Sequence, residues 1–335
     1  MTRTFIIAEA GVNYNADMNM ASEMIHLAKS CGADSIKFQT GKPHLVTTPW
    51  ADRAKYQKEN TKSEGSQFDL IKNFDMPYEN FAKLKGICES VGIEFMSSAF
   101  EMNAARYLDS IGMRQFKIPS GEITNLPYLR LIASFGRPVI LSTGMSNDLE
   151  IFAAIAAMEN AGLNKNNLSL LHCTTEYPAP FTEIDLHAIQ GMRTRFGVPI
   201  GYSDHTMGIE APIAAVALGA VIIEKHFTLD RNLPGPDQKA SIEPYELKQM
   251  VAAIRNIEQA CSGNGDKTAK PSELKNIAIA RRSIVASRNI SKGEIFSDEN
   301  IVPKRPATGL SPMLWDKVIG TKSSRDYQQD ELITL

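Results

Sequence analysis

Residues 199–227 read PIGYSDHTMGIEAPIAAVALGAVIIEKHF, and this stretch carries the fold in miniature. Two apolar runs, 199–204 and 221–227, have strand length and carry polar residues near their ends. The alanine-rich segment between them is compatible with a helix. The same alternation recurs upstream, with strand candidates at 5–10 (FIIAEA), 35–40 (SIKFQT), 94–99 (EFMSSA), 115–120 (QFKIPS), 138–143 (PVILST) and 168–174 (LSLLHCT). Helical spacing links Ala21, Met24, Ile25, Ala28 and Cys31, and after the last strand it links Leu247, Met250, Val251, Ile254, Ile257 and Cys261. Eight β/α alternations in about 260 residues predict an α/β chain of the closed (β/α)8, or TIM-barrel, type. A doubly wound open sheet is the competing arrangement. No GxGxxG follows the first strand, which counts against it.

Two segments depart from a bare barrel. Residues 41–76 form a long polar stretch containing KYQKENTKSEGSQ, read as a loop that is functional or mobile. Residues 262–275 (SGNGDKTAKPSELK) read as a linker between a barrel at 1–261 and a small β-rich domain at 276–335. That last segment holds the strand signals SIVAS, EIF and NIVPK and a helix near Ser311–Val318.

Composition narrows the function. Apolar residues at 43% supply a core, and 36 basic against 38 acidic residues leave no field that would attract nucleic acid or an anionic membrane. Cys31, Cys88, Cys173 and Cys261 are scattered without a CxxC, as expected of reduced, mostly buried thiols. The run Phe5–Ala8 is too short for a signal peptide, and no later run approaches a membrane span, so the expected location is cytoplasmic.

Barrel chemistry sits at the C-terminal ends of the strands. Polar residues collect there: Glu9 with Asn13 beyond it, Lys37 and Gln39 on one face, Ser97 and Ser98, then Lys117 with Ser120 and Glu122. Ser142 and Thr143, then His172, Thr174 and Thr175, end the next two strands. Ser203 shares a face with His205, and Glu224 with His226. Singly, each is a turn residue or a satisfied core group; as a set they indicate a wet, functional mouth. His205 and His226, on neighbouring strand ends, fit either a divalent-ion pair oriented by Asp204 and Glu224 or two ordinary core histidines. Two nitrogen donors do not distinguish Mn²⁺ from Zn²⁺. His172 reads as a satisfied core histidine, and His26, His44 and His187 receive no role. Lys37 and Lys117, with Ser120, Ser142 and Ser203, suit a small phosphorylated acid. No GxxxxGK[ST] offers a Walker-type site. The residues alone reach a metal-assisted lyase or transferase.

The segments FIIAEAGVNYN, IKFQT, FKIPSGE, LSTGM, LHCTTEYPAPF, GYSDHT, EKHFTLD and GPDQKASIEP, in that order, resemble the sialic acid synthase family. The tail RRSIVASRNISKGEIFSDENIVPKRPATGLSP is similar to that family's antifreeze-like (SAF) domain. The resemblance implies a TIM barrel plus SAF domain that joins phosphoenolpyruvate to an N-acylmannosamine-type sugar, giving a nine-carbon α-keto acid and phosphate. C3 of phosphoenolpyruvate attacks the open-chain aldehyde, water adds at C2, and C–O cleavage releases phosphate. It implies a divalent ion on His205 and His226, Mn²⁺ foremost, with Mg²⁺ or Co²⁺ as alternatives. Lys37, Ser98, Lys117, Ser120, Ser142 and Ser203 would bind phosphoenolpyruvate. Glu9, Gln39, Asn60, Thr174, Tyr177 and Asp237 would bind the sugar, and Glu122, near the reacting carbons, would stabilise cationic character at C2, so that Glu122, Glu9, His205 and His226 form the implied catalytic set. Arg305 would reach the N-acyl group in the partner subunit of a domain-swapped homodimer. Thr174 stands where N-acetylneuraminate synthases have Asn, Ser98 where a threonine is frequent, and Tyr14 where His is common. Thr174 and Ala179 also occur in relatives that make sialic acid analogues. N,N'-diacetyllegionaminate synthesis is therefore an alternative, with pseudaminate synthesis behind it. Two other readings are a metal-dependent aldolase or isomerase and a non-enzymatic ice binder.

Overall fold

The computed structural model describes residues 3–61 and 64–335. Eight parallel strands close into a barrel in sequential order. They are β1 (Phe5–Gly11), β2 (Ser35–Thr40), β3 (Glu94–Ala99), β4 (Phe116–Ile118), β5 (Val139–Ser142), β6 (Leu168–Cys173), β7 (Ile200–Asp204) and β8 (Ile222–His226). β8 pairs back onto β1, with Glu9 opposite His226. The sheet thus has no open edge, and the doubly wound alternative is excluded. β4 is shorter than its sequence signal because Pro119 leads into a single tight turn, Ser120–Glu122.

The period of two along each strand sorts the side chains into two cores. Outward-facing Ile6, Ala8, Ile36, Phe38, Phe116, Leu141, Tyr202 and Ile223 pack under the helical layer. Ile7, Met96, Ile140, Leu171 and Ile222 form a second, smaller cluster. Each of these five lies two residues before Glu9, Ser98, Ser142, Cys173 or Glu224, so one apolar layer inside the barrel floors a polar one. Gly201 permits this filling. A Cβ there would sit 2.5 Å from both Leu171 Cδ2 and the Ile222 carbonyl oxygen.

Helix ends are fixed by side chains. Asp17 accepts the Asn19 amide at the start of Met18–Ser30, and Asn147 with Glu150 closes a capping box on Asp148–Asn160. In the helix Pro244–Ala260, Leu247, Met250, Val251 and Ile254 are buried, as their spacing predicts. Cys31, Cys88 and Cys173 are buried and unpaired, whereas Cys261 is exposed.

The segment 41–76 is not an unstructured loop. It folds as short helices at Pro43–Val46, Lys55–Thr61 and Gln67–Lys72, the last capped by reciprocal Ser66 and Asp69 hydrogen bonds. The expected linker is also partly helical. Pro271 opens the helix Pro271–Ala280, and Glu273 accepts the Lys270 amide.

The chain divides into two compact units, Met1–Ser262 and Gly263–Leu335. The second holds an antiparallel pair, β9 (Ser283–Ala286) and β10 (Ile301–Lys304), and a short helix Trp315–Val318. Its own core contains Ile284, Ile290, Phe296, Ile301, Val318, Tyr327 and Ile333. The EIF signal forms no strand; Ile295 makes an isolated bridge to Lys322. Among the described residues, no helix is long and apolar enough to cross a membrane.

Candidate active site

A cavity of about 450 Å³ opens at the C-terminal ends of the barrel strands. Its floor is charged. Lys37 Nζ lies 2.7 Å from Glu9 Oε2 and 3.6 Å from Glu224 Oε2, and Lys117 Nζ lies 3.3 Å from Glu224 Oε1. All four side chains are buried. Strand register produces the grouping, because Glu9 pairs with Lys37, Ser98 with Lys117, and Ser203 with Glu224. Lys37 donates to Ser98 Oγ at 3.1 Å, and Ser203 donates to Glu224 Oε1 at 3.0 Å.

Burial disfavours every charge here, and the partners decide which survive. Burial would raise Glu224, but Lys117 and Lys37 overcome it and hold the carboxyl down at about 2. At Glu9 the balance tips the other way: burial outweighs Lys37 and pushes the carboxyl up to about 7, so it holds its proton more tightly than an ordinary glutamate. For Lys37, Glu224 and Glu9 outweigh burial and raise the ammonium, whereas burial wins at Lys117 and lowers it. The floor therefore holds one firmly ionised carboxylate shared by two lysines, beside a carboxyl poised near neutrality.

Hydroxyls surround this floor. Ser142 Oγ and Thr175 Oγ1 are buried without a hydrogen-bond partner, and Ser120 Oγ accepts the Gly144 amide at 2.9 Å. A Cβ at Gly144 would fall 2.2 Å from Thr175 Oγ1 and 2.9 Å from both Ser120 Oγ and Cys173 Sγ, so a side chain there would fill this cradle. Two unsatisfied hydroxyls, Ser142 and Thr175, beside two cations suit a small polyanion.

Above the floor, the His205 and His226 rings are 5.6 Å apart, centroid to centroid. His205 Nδ1 is 2.6 Å from the Thr174 carbonyl oxygen; donating to it leaves Nε2 with a free lone pair. His226 Nδ1 is buried and unpartnered. Burial lowers His205 to about 4 and drives His226 well down, so both rings are neutral donors. Among the described residues, no group of three or more His, Cys, Asp and Glu side chains is arranged to hold a metal ion. Gly11 allows the neighbouring groups to converge. With φ +54°, its absent Cβ would lie 3.3 Å from Gln39 Nε2, 3.4 Å from Glu9 Oε1 and 3.6 Å from His226 Cε1.

Tyr177 stacks between two rings, 4.0 Å from His205 and 4.9 Å from Tyr56 by centroids. Asp237 lines the cavity, and burial pushes its carboxyl up to about 6. Gln39 donates to Glu9 Oε1 at 3.2 Å.

Lys37, Ser98, Lys117, Ser120, Ser142, Ser203, Glu9, Gln39, Tyr177, Asp237, His205 and His226 all line one cavity. Four expected residues fall elsewhere. Asn60 donates to the Pro236 carbonyl at 2.7 Å. Glu122, half-buried, lies outside the cavity lining and accepts from Asn125 at 2.6 Å. The Thr174 hydroxyl turns to the Glu183 carbonyl while its own carbonyl holds His205. Arg305 is exposed in the second unit.

The expected orienting role of Asp204 and Glu224 is also revised. Asp204 faces outward and pairs with Lys225, while Glu224 serves the lysines. His172 is satisfied as expected, with Nε2 2.5 Å from the Ile184 carbonyl oxygen. The sequence reading missed Tyr56, Gln67 and Cys173 as cavity residues. Cys173 was accessible to it, lying two residues past inward Leu171; Tyr56 and Gln67 sit on an insertion with no strand register to place them.

The NeuB family model matches residues 24–267, and the SAF domain model matches residues 281–335. The chain belongs to the NeuB family. It is 47% identical over 333 residues to the N,N'-diacetyllegionaminic acid synthase of Campylobacter jejuni, covering 99% of each chain. The enzyme of the same description from Legionella pneumophila is 42% identical, over 96% of this chain and 90% of the relative. Among solved structures, the N-acetylneuraminic acid synthetase of Leptospira borgpetersenii superposes with a TM-score of 0.72 at 34% identity, covering 82% of this chain and 90% of that one.

Proposed function

We propose that this NeuB-family chain condenses phosphoenolpyruvate with an N-acylated amino sugar to give a nonulosonic acid and inorganic phosphate. The observation that carries the reading is the pair of buried lysines, Lys37 and Lys117, sharing Glu224 beneath a ring of hydroxyls. Two fixed cations bind the phosphate and carboxylate of phosphoenolpyruvate, and Ser98, Ser120, Ser142 and Ser203 complete the shell. Their contribution is chiefly orientation, holding C3 toward the acceptor's aldehyde carbon. Excluding water strengthens each of these contacts.

Glu9 is the group suited to hold or move a proton at its carboxyl near neutral pH. Gln39 and Asp237 offer hydrogen bonds to the sugar hydroxyls, and Tyr177 packs against the histidines and supports the ring of the acceptor. The neutral imidazoles of His205 and His226 fit a divalent cation, with Mn²⁺ the first choice and Mg²⁺ or Co²⁺ as substitutes; a bound ion supplies Lewis acidity toward the aldehyde oxygen. Arg305 is assigned to the acceptor's N-acyl group in a second copy of the chain, arranged head to tail.

The two relatives named for N,N'-diacetyllegionaminic acid favour 2,4-diacetamido-2,4,6-trideoxymannose as acceptor over a simple N-acylmannosamine. The deciding experiment offers both sugars with phosphoenolpyruvate and Mn²⁺, following phosphate release and product mass. Phosphate released together with a product of the joined mass is expected. Failure to release phosphate with any N-acyl sugar overturns the assignment.

A further inference from the structure

One wall of the cavity takes no part in the chemistry assigned above. Gln67, Leu70 and Ile71 lie on the short helix Gln67–Lys72, and together with Val46, Phe74 and Phe100 they line the cavity. In character this wall is the reverse of the floor: aliphatic and aromatic side chains stand where the floor has charges and hydroxyls. Within it, Gln67 Oε1 is buried and has no hydrogen-bond partner. A buried carbonyl oxygen left in that state is unfavourable and is stabilised by any N–H delivered to it.

The chemistry that satisfies both features at once is an acylamino group. Its N–H meets the glutamine oxygen, and its methyl covers apolar surface. A hydroxyl can do only the first, and a hydroxymethyl group set against Leu70, Ile71 and Phe74 is left without polar partners there. We infer that Gln67 and this apolar wall form a subsite for a second acylamino group and a deoxygenated carbon of the acceptor. The chain then selects a diacylamino deoxy sugar over a mono-N-acyl hexose. The inference rests on the reaction assigned above, and it names the part of the cavity that reads the acceptor.

The test is calorimetric binding of 2,4-diacetamido-2,4,6-trideoxymannose and of N-acetylmannosamine to the full-length protein with Mn²⁺ and without phosphoenolpyruvate. Wild type is expected to prefer the first sugar. Gln67→Ala and Ile71→Ser are each expected to shrink that preference, Gln67→Ala by about ten-fold. A wild-type protein without preference overturns the subsite. So do variants that weaken both sugars equally, since damage to the helix alone would do that. Phosphate release, measured in parallel, separates the two claims. A preference that depends on Gln67 with no phosphate released supports the subsite and overturns the reaction. Phosphate released equally well from both sugars does the opposite; no binding of either sugar overturns the subsite, and no phosphate from either overturns the reaction.

Discussion

Asp204 and Lys225 form an ion pair, Oδ2 to Nζ 2.6 Å, in which neither side chain is exposed. It lies on the outer face of the barrel, and each member directly precedes one of the two site histidines. Alternation sends Asp204 and Lys225 outward while His205 and His226 turn to the cavity. Tyr202 and Thr206 also donate to Asp204, and Lys225 donates to the Thr206 carbonyl. The pair thus ties β7 to β8 at the level where the imidazoles must keep their spacing.

Breaking one side of this pair strands a charge in an apolar layer. Asp204→Asn is expected to destabilise the fold by about 3–5 kcal/mol, read as a shift in the urea midpoint. Adding Lys225→Met to that variant should recover part of the loss, because the orphaned ammonium is then gone. A double variant no more stable than the sum of the single losses argues against direct coupling.

The floor predicts a different phenotype for Lys117. Lys117→Met leaves Glu224 with Lys37 and keeps most of the packing volume, so the fold should persist. One of the two cations proposed to face phosphoenolpyruvate is lost, and kcat/KM for phosphoenolpyruvate is expected to fall by about 100-fold or more. Phosphate-release kinetics over a phosphoenolpyruvate series gives the answer. An unchanged kcat/KM removes Lys117 from the binding set.

The inner-face set was legible because a strand fixes direction with a period of two. Once Ile36 and Phe38 are outward, Lys37 and Gln39 have nowhere to go but the interior, and Ser203 and Glu224 follow likewise. Residues beyond a strand lose that guarantee. Thr174 lies one past Cys173, where β6 has ended, and its hydroxyl turns away; Glu122 leaves through the turn after β4. Asp204 was misread for a related reason, since proximity in sequence to His205 concealed that it occupies the opposite face. The 41–76 helices were hidden by their polarity, and only Leu70 and a few neighbours mark the side that meets the cavity.

Asp237 gives a pH signature that one substitution isolates. Burial raises its carboxyl from 3.8 to about 6, so its favourable contribution is complete below about pH 4 and is lost as the pH rises through 6. His205, lowered to about 4, runs the other way, contributing above pH 6.5 and losing that as the pH falls through 4. In the difference between wild type and Asp237→Asn, the histidine cancels. Wild-type stability relative to the variant should therefore decline by about 2 kcal/mol between pH 4 and pH 7. Urea midpoints at several pH values measure this, and two parallel curves would contradict the assignment.

The proposed head-to-tail dimer makes a prediction that no single-chain reading shares. Arg305→Ala keeps an intact barrel but lacks the arginine, and Lys117→Met keeps the arginine but has a damaged floor. Each alone is expected to be nearly inactive. In a hybrid dimer, one barrel with an intact floor receives the other chain's Arg305, whereas the second site carries both defects. Random reassortment places half of the dimers in the hybrid class with one working site of two, restoring about a quarter of wild-type activity. The measurement is phosphate release after the two variants are mixed, dissociated and reassociated. If Arg305 acts within its own chain, or serves no acceptor at all, the mixture shows only the sum of its parts.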